Sequence, residues 1–118
     1  PGVIIATMEA SLIVFNYGPQ AVTFGFNSGQ RFDFVIRDSH GTEWYRWSNG
    51  KSFPDVMGSE TLYNDKLVYA VKIPLEDPRW VGPTPWPLPD GLYTLEATLT
   101  SYDRPMTGST TFEVKSVH

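Results

Sequence analysis

Residues 24–53 constrain the fold more than any other stretch, because apolar and polar side chains alternate there between turn signals. In an extended chain Phe32, Phe34 and Ile36 lie on one face, while the residues between them lie on the other. Such a period of two is typical of a strand with one buried face. The stretch therefore predicts β structure at the centre of the chain.

A short hairpin loop follows this strand at Asp38-Ser39-His40-Gly41. We expect the Asp38 carboxylate to cap turn amides and Gly41 to adopt a positive φ. A three-residue loop predicts three cross-strand pairs: Arg37 with Glu43, Ile36 with Trp44, and Val35 with Tyr45. It also places Trp44 on the buried face and Trp47 on the other face.

Alternation also occurs in five stretches, namely residues 3–15, 21–26, 67–73, 90–99 and 111–117. An Asp-Gly corner precedes Tyr93, a partial match to the tyrosine corner of immunoglobulin-like sandwiches. We therefore predict an all-β chain, an immunoglobulin-like antiparallel β-sandwich of about seven to eight strands. Residues 1–118 are expected to form one domain, and a closed barrel is the alternative architecture.

Charge and composition exclude several classes of partner. The net charge of −4 and the nine scattered basic residues disfavour nucleic acid and anionic membrane surfaces. No apolar run approaches the roughly 20 residues of a membrane span, so no membrane insertion is expected. The absence of cysteine is compatible with a cytoplasmic protein. The chain begins Pro1-Gly2, so a leader removed upstream would instead make it secreted or envelope-anchored.

Little in the sequence points to catalysis, a metal or a cofactor. Asp38 and His40 supply two candidate ligands where a metal site needs three or four, and a turn cap explains Asp38 better. Ser28 sits in a Gly-x-x-Ser-Gly spacing that differs from a nucleophile elbow and indicates a turn. Carboxylates such as Asp33 and Glu60 are expected on solvated faces. We predict a non-enzymatic protein.

Residues 74–89 contain six of the ten prolines and form a long, stiff loop. A substrate-like protease inhibitor needs such a preordered, extended backbone. Five residues of the loop are the candidate protease contacts: Arg79, Trp80, Val81, Trp86 and Leu88. Two further interpretations stay open, that the loop merely crosses between sheets, and that the aromatic faces of Tyr45, Trp47, Trp80 and Trp86 bind a sugar.

Several motifs follow one another in a fixed order along the chain: residues 26–34 (FNSGQRFDF), Asp38 with Gly41, residues 44–51 (WYRWSNGK) with Phe53, residues 60–62 and residues 91–93. Together they resemble the BsuPI-type family of intracellular proteinase inhibitors. The similarity covers about residues 10–115 and departs from the family at the 64–66 turn and in the length of the proline-rich loop. It implies an immunoglobulin-like fold and a subtilisin-like serine protease as partner.

Two functional hypotheses follow. The first is an inhibitor of a subtilisin-like serine protease that acts through an exposed loop, with residues 74–89 preferred and residues 48–56 second. The second hypothesis is a protein-interaction or cell-envelope accessory module with an immunoglobulin-like fold and no inhibitory activity. The sequence makes no prediction of the oligomeric state.

Overall fold

A computed structural model describes residues 7–74, 79–82 and 88–115 of the chain. These residues form eight strands and no helix. In chain order the strands are β1 (Thr7–Asn16), β2 (Val22–Phe26), β3 (Phe32–Asp38), β4 (Glu43–Arg46), β5 (Gly58–Leu62), β6 (Asp65–Pro74), β7 (Gly91–Leu99) and β8 (Met106–Val114). Within these ranges no helix has the length and hydropathy that a bilayer span requires.

All strand pairs are antiparallel. One layer is a four-stranded sheet in the order β4-β3-β7-β8, and the pairs β1-β6 and β2-β5 supply the opposing layer. Rings meet between the layers, since Phe32 of β3 stacks on Tyr69 of β6 at 4.9 Å between centroids. The all-β antiparallel sandwich predicted from the period of two is confirmed.

The predicted core faces are also confirmed. Along β1 the side chains of Ala10, Leu12 and Val14 are buried, as expected from the alternation. The same holds for Tyr93, Ala97 and Leu99 along β7. Inward residues of both layers join one hydrophobic cluster, so burial of these faces is what holds the layers together.

The predicted corner at the start of β7 is present as well. The hydroxyl of Tyr93 donates a hydrogen bond of 2.6 Å to the backbone carbonyl of Pro89. Burial raises the pKa of Tyr93, and Asp38 and Asp90 add to that shift, so the ring stays neutral and remains a donor. The bond holds the chain where it enters β7.

The hairpin register was predicted correctly at one pair and wrongly at two. Arg37 lies opposite Glu43, but Ile36 lies opposite Tyr45 and Val35 opposite Arg46. Trp44 is therefore an extra residue in β4, a β-bulge that lets Trp44 and Tyr45 both point into the protein. Two adjacent aromatic residues carry no phase information, so the alternation did not reveal the bulge.

Two strand boundaries also differ from the prediction. The sequence indicated irregular chain up to residue 59, whereas β5 begins at Gly58 and pairs with β2 from Phe26 onward. The closing strand was expected at residues 111–117, but β8 starts at Met106. Both wrong boundaries lie in polar segments. There the chain becomes a strand because it pairs with a neighbouring strand, although it has no buried apolar face.

Candidate functional site

Residues 79–82 lie along the outer edge of β4, and we call them the edge segment. Trp80 forms an antiparallel bridge with Tyr45. The Val81 amide donates a 2.9 Å bond to the Trp44 carbonyl, and the Arg46 amide donates a 3.4 Å bond to the Arg79 carbonyl. Residues 79–82 thus extend the four-stranded sheet beyond β4 by a single isolated bridge and two backbone hydrogen bonds.

The side chain of Trp80 anchors the edge segment to the core. Its ring lies 4.9 Å from that of Tyr45, which has no exposed surface. Its indole Nε1 donates a 3.1 Å hydrogen bond to the carbonyl of Pro74. Since one face of Trp80 is covered, its first role is to hold the backbone of the edge segment in place.

Arg79 connects the edge segment to the turn after β4. Its Nη1 donates a 3.2 Å hydrogen bond to the carbonyl of Trp47, and its guanidinium carbon lies 6.0 Å from the centroid of the Tyr45 ring. Gly82 closes the segment against the indole of Trp44. A Cβ at Gly82 would overlap that ring, so the close approach requires glycine.

The five candidate contacts occupy different environments. Val81 is 53% exposed and presents an apolar side chain beside the sheet edge. Arg79 and Trp80 are half-buried. Leu88 is 6% exposed and belongs to the hydrophobic core, while Trp86 lies outside the described residues.

The second predicted segment begins with a firmly held turn. The Asp33 carboxylate accepts hydrogen bonds from the Ser48 hydroxyl at 2.5 Å and from the Ser48 amide at 3.1 Å. It also accepts one from the Phe34 amide at 2.9 Å, and Arg46 Nη1 lies 3.5 Å away. Asp33 is therefore buried within a polar network. The prediction that it lies on a solvated face is wrong, because its partners come from a later part of the chain.

Beyond this turn the chain packs against Trp47 and then becomes exposed. Phe53 lies 5.8 Å from the Trp47 ring, which itself stacks on Phe32 at 4.5 Å. Trp47 therefore covers part of the core, and the prediction that it lies on the other face is wrong. Pro54 accepts a 2.7 Å hydrogen bond from the Gly29 amide. After this anchor two apolar residues, Val56 and Met57, are 64% and 70% exposed.

We call residues 53–57 the apolar segment. They have no regular secondary structure, yet Pro54 holds one end and β5 begins immediately after the other. The predicted second segment, residues 48–56, ends one residue before the exposed Met57. The available signal was a pair of successive apolar residues after a proline, outside any alternating run.

The structure brings together the two loop segments that the sequence predicted as separate contact regions. Trp47 receives the Arg79 hydrogen bond through its carbonyl and packs against Phe53 through its ring. The ammonium of Lys51 lies 4.5 Å over the same ring. The edge segment and the apolar segment therefore adjoin through Trp47.

Charged groups around β4 are paired with neighbouring side chains. Glu43 accepts a 2.7 Å bond from Arg46 Nη2, and this hydrogen bond raises the pKa of Arg46. The Trp44 indole donates 3.0 Å to Asp38, which lowers the pKa of that carboxylate. Asp38 also accepts the amides of His40 and Thr42, which confirms the predicted turn cap.

The hypotheses of a serine nucleophile, a metal site and a sugar site gain little from this geometry. Ser28 Oγ accepts the Gln30 amide at 3.1 Å, as expected of a turn residue. Among the described residues no group of three His, Cys, Asp or Glu side chains is placed to hold a metal. Tyr45 is buried and offers no face to a sugar.

Comparison with known proteins places these features in a family. The BsuPI family model, described as intracellular proteinase inhibitor, matches residues 5–104. A search of the curated proteins found no match. The matched range includes the edge segment and the apolar segment, and it confirms the resemblance drawn from the sequence motifs.

Proposed function

The chain belongs to the BsuPI family of intracellular proteinase inhibitors, and we propose that it inhibits a subtilisin-like serine protease in the cytoplasm. The edge segment would make the primary contact and the apolar segment the second. The family match carries this proposal, and the geometry of the two segments supports it.

The backbone of the edge segment is already ordered by hydrogen bonds to Trp44 and Arg46. A protease that binds an extended chain therefore loses little of its binding free energy to ordering that chain. The aromatic contact between Trp80 and Tyr45 resists displacement of the segment during binding. This stiffness is the property that a substrate-like inhibitor needs.

Exposed aliphatic side chains supply the recognition surface. Val81 on the edge segment, and Val56 with Met57 on the apolar segment, each expose more than half of their surface. Apolar side chains that enter a protease cleft bury area without an electrostatic penalty. Arg79 and Trp80 then position Val81, Leu88 anchors the returning chain in the core, and Trp86 remains a proposed contact.

The proposal is tested by titrating the purified chain against a subtilisin-class protease with a chromogenic peptide substrate. We expect hydrolysis to fall with KM raised and kcat unchanged, because the inhibitor and the substrate compete for one cleft. Undiminished hydrolysis at micromolar concentrations of the chain would refute inhibition and favour the interaction-module hypothesis.

Matched variants test the surface. Val81→Asp and Val56→Asp place a carboxylate where an apolar contact is proposed, and each is expected to weaken inhibition by roughly tenfold or more. Val68→Asp is the control, since Val68 is 51% exposed on β6 and close in exposure to Val81. Equal potency of Val81→Asp and Val68→Asp would remove the edge segment from the proposal.

The anchoring role of Trp80 is tested separately by Trp80→Ala. We expect weaker inhibition from a domain that still unfolds cooperatively, because the substitution makes the edge segment less ordered and leaves the rest of the fold intact. Unchanged potency would show that the loop is not the contact.

A further inference from the structure

Strand β8 forms the open end of the four-stranded sheet. It pairs with β7 without interruption from Gly91 opposite Val114 to Leu99 opposite Met106. Within the described parts of the chain, no strand pairs with its other edge. Residues 106–111 are all exposed. Alternate backbone amides and carbonyls of β8 therefore point away from β7.

The devices that normally protect a free edge are missing from β8. Its sequence, MTGSTTFEV, contains no lysine and no proline, and Glu113 is its one charged residue. Its register with β7 shows no bulge over nine residues. A long, regular, nearly uncharged edge is a template for another extended chain.

We propose that this edge binds a second copy of the chain, β8 against β8, antiparallel about a twofold axis at Thr110. This interaction is independent of protease inhibition. In such an isologous contact every residue i lies opposite residue 220 − i of the other copy. The sequence of β8 is self-complementary in this register.

The opposed side chains match along the whole strand. Met106 lies opposite Val114 of the second copy, and Gly108 opposite Phe112, whose ring covers the glycine backbone. Ser109 lies opposite Thr111, and Thr110 opposite itself, so hydroxyl groups meet hydroxyl groups. Glu113 faces Thr107, and no like charges are opposed.

The side of the sheet on which each β8 side chain lies also supports this register. Phe112 lies opposite Tyr93 on the core side of the sheet, with 5.7 Å between ring centroids, so the even-numbered residues of β8 share that side. The proposed pairs keep Met106 with Val114 and Gly108 with Phe112 on the core side, where Thr110 lies at the axis, and keep the remaining polar residues outside. Nine paired residues provide about nine interstrand hydrogen bonds, which suits a reversible dimer of small interface.

The test is sedimentation velocity on the intact chain over a concentration series from roughly 10 µM to 1 mM. We expect the sedimentation coefficient to rise from the monomer value to the dimer value. Ser109→Lys with Thr111→Lys opposes like charges across the axis and is expected to weaken dimerisation at least about tenfold. Ser109→Lys with Thr111→Glu opposes unlike charges and is expected to restore it.

A charge-matched control, Ser59→Lys with Ala70→Lys, adds two lysines at exposed positions on β5 and β6 and should dimerise as the parent chain does. Thermal unfolding of each variant checks the fold. If a variant does not fold, slowed hydrogen exchange of β8 amides at high parent concentration tests the same contact.

Three outcomes would overturn the proposal. The first is a parent chain that stays monomeric at every concentration, which would leave the edge to a different polypeptide. The second is a dimer unaffected by the two lysines, and the third is a weakened dimer that the Lys–Glu variant does not restore.

Discussion

The two edges of the four-stranded sheet are treated in opposite ways. Along β4 the edge segment completes the hydrogen bonding, aromatic rings pack beneath it and Gly82 allows close approach to Trp44. Along residues 106–111 of β8 the side chains are exposed, and a Cβ at Gly108 would meet nothing within 4 Å. The covered edge is fixed by packing, whereas residues 106–111 of the open edge are exposed and are held by their pairing with β7. Substitutions should therefore have large effects on one edge and small effects on the other.

Trp44→Ala is expected to have the largest effect. Trp44 is 4% exposed, its ring packs edge-on against Tyr93, and it supports the edge segment. Removing a buried tryptophan should lower the free energy of unfolding by about 3–5 kcal/mol. Denaturant unfolding followed by circular dichroism measures it, and a loss below about 1 kcal/mol would show that β4 is not fixed by packing.

Gly82→Ala and Gly108→Ala compare the edges with one chemical change. The methyl group at position 82 overlaps the Trp44 ring, so we expect a loss of about 1–3 kcal/mol. The methyl group at position 108 enters open space and reduces the freedom of the unfolded chain, so stability should rise by up to about 1 kcal/mol. Equal effects in thermal unfolding would contradict the comparison.

Asp38→Asn is expected to make the Tm of the protein less sensitive to acid, because Asp38 binds Trp44 of β4 through a charged hydrogen bond. Hydrogen bonding from the Trp44 indole holds the pKa of Asp38 below its ordinary value of 3.8. The charged carboxylate therefore adds stability above that pH, and the contribution is lost as pH falls through the lowered pKa. We expect the Tm difference between parent and variant to be largest near neutral pH and to shrink below about pH 4. Asp55→Asn, on exposed chain, is the control, and a difference independent of pH would refute the role of the charge.

Thr110→Val should have the smallest effect, because Thr110 is exposed on the open edge. In dilute solution we expect a change within about 0.5 kcal/mol. The reverse exchange, Val35→Thr on β3, buries a hydroxyl at a site that is 6% exposed. It should lower the free energy of unfolding by about 1–3 kcal/mol. Comparable losses from the two exchanges would show that β8 is covered after all.

Regular alternation predicted most of the sandwich, because residues such as Leu12, Phe34 and Leu99 report which face of a strand is buried. It failed where the period carries no information. Leu88 lies in a proline-rich run without any period, so its burial in the core was not visible and it was offered as a contact. Asp33 alternates as an outward residue, yet Ser48 and Arg46 enclose it only after the hairpin forms.

The candidate site was predicted less completely than the fold. The proline content indicated a stiff loop, but not that Arg79 and Trp80 would lie against β4. Such a contact is a tertiary one that the sequence pattern does not reveal, because residues 45 and 80 are far apart in the chain and share no motif. The contacts of Trp47 with both the edge segment and the apolar segment are also tertiary contacts, so the sequence did not reveal them.

The extra residue at Trp44 makes the hairpin intolerant of changes in its length. Deleting it would restore an unbroken ladder between β3 and β4 but leave a single large ring where two now fill the interior. Tyr45 would then have to pack against both Gly82 and Trp80, whereas Trp44 and Tyr45 now share these contacts. Sequences descended from this one should therefore tolerate insertions in their surface turns more readily than any loss within these four residues of β4.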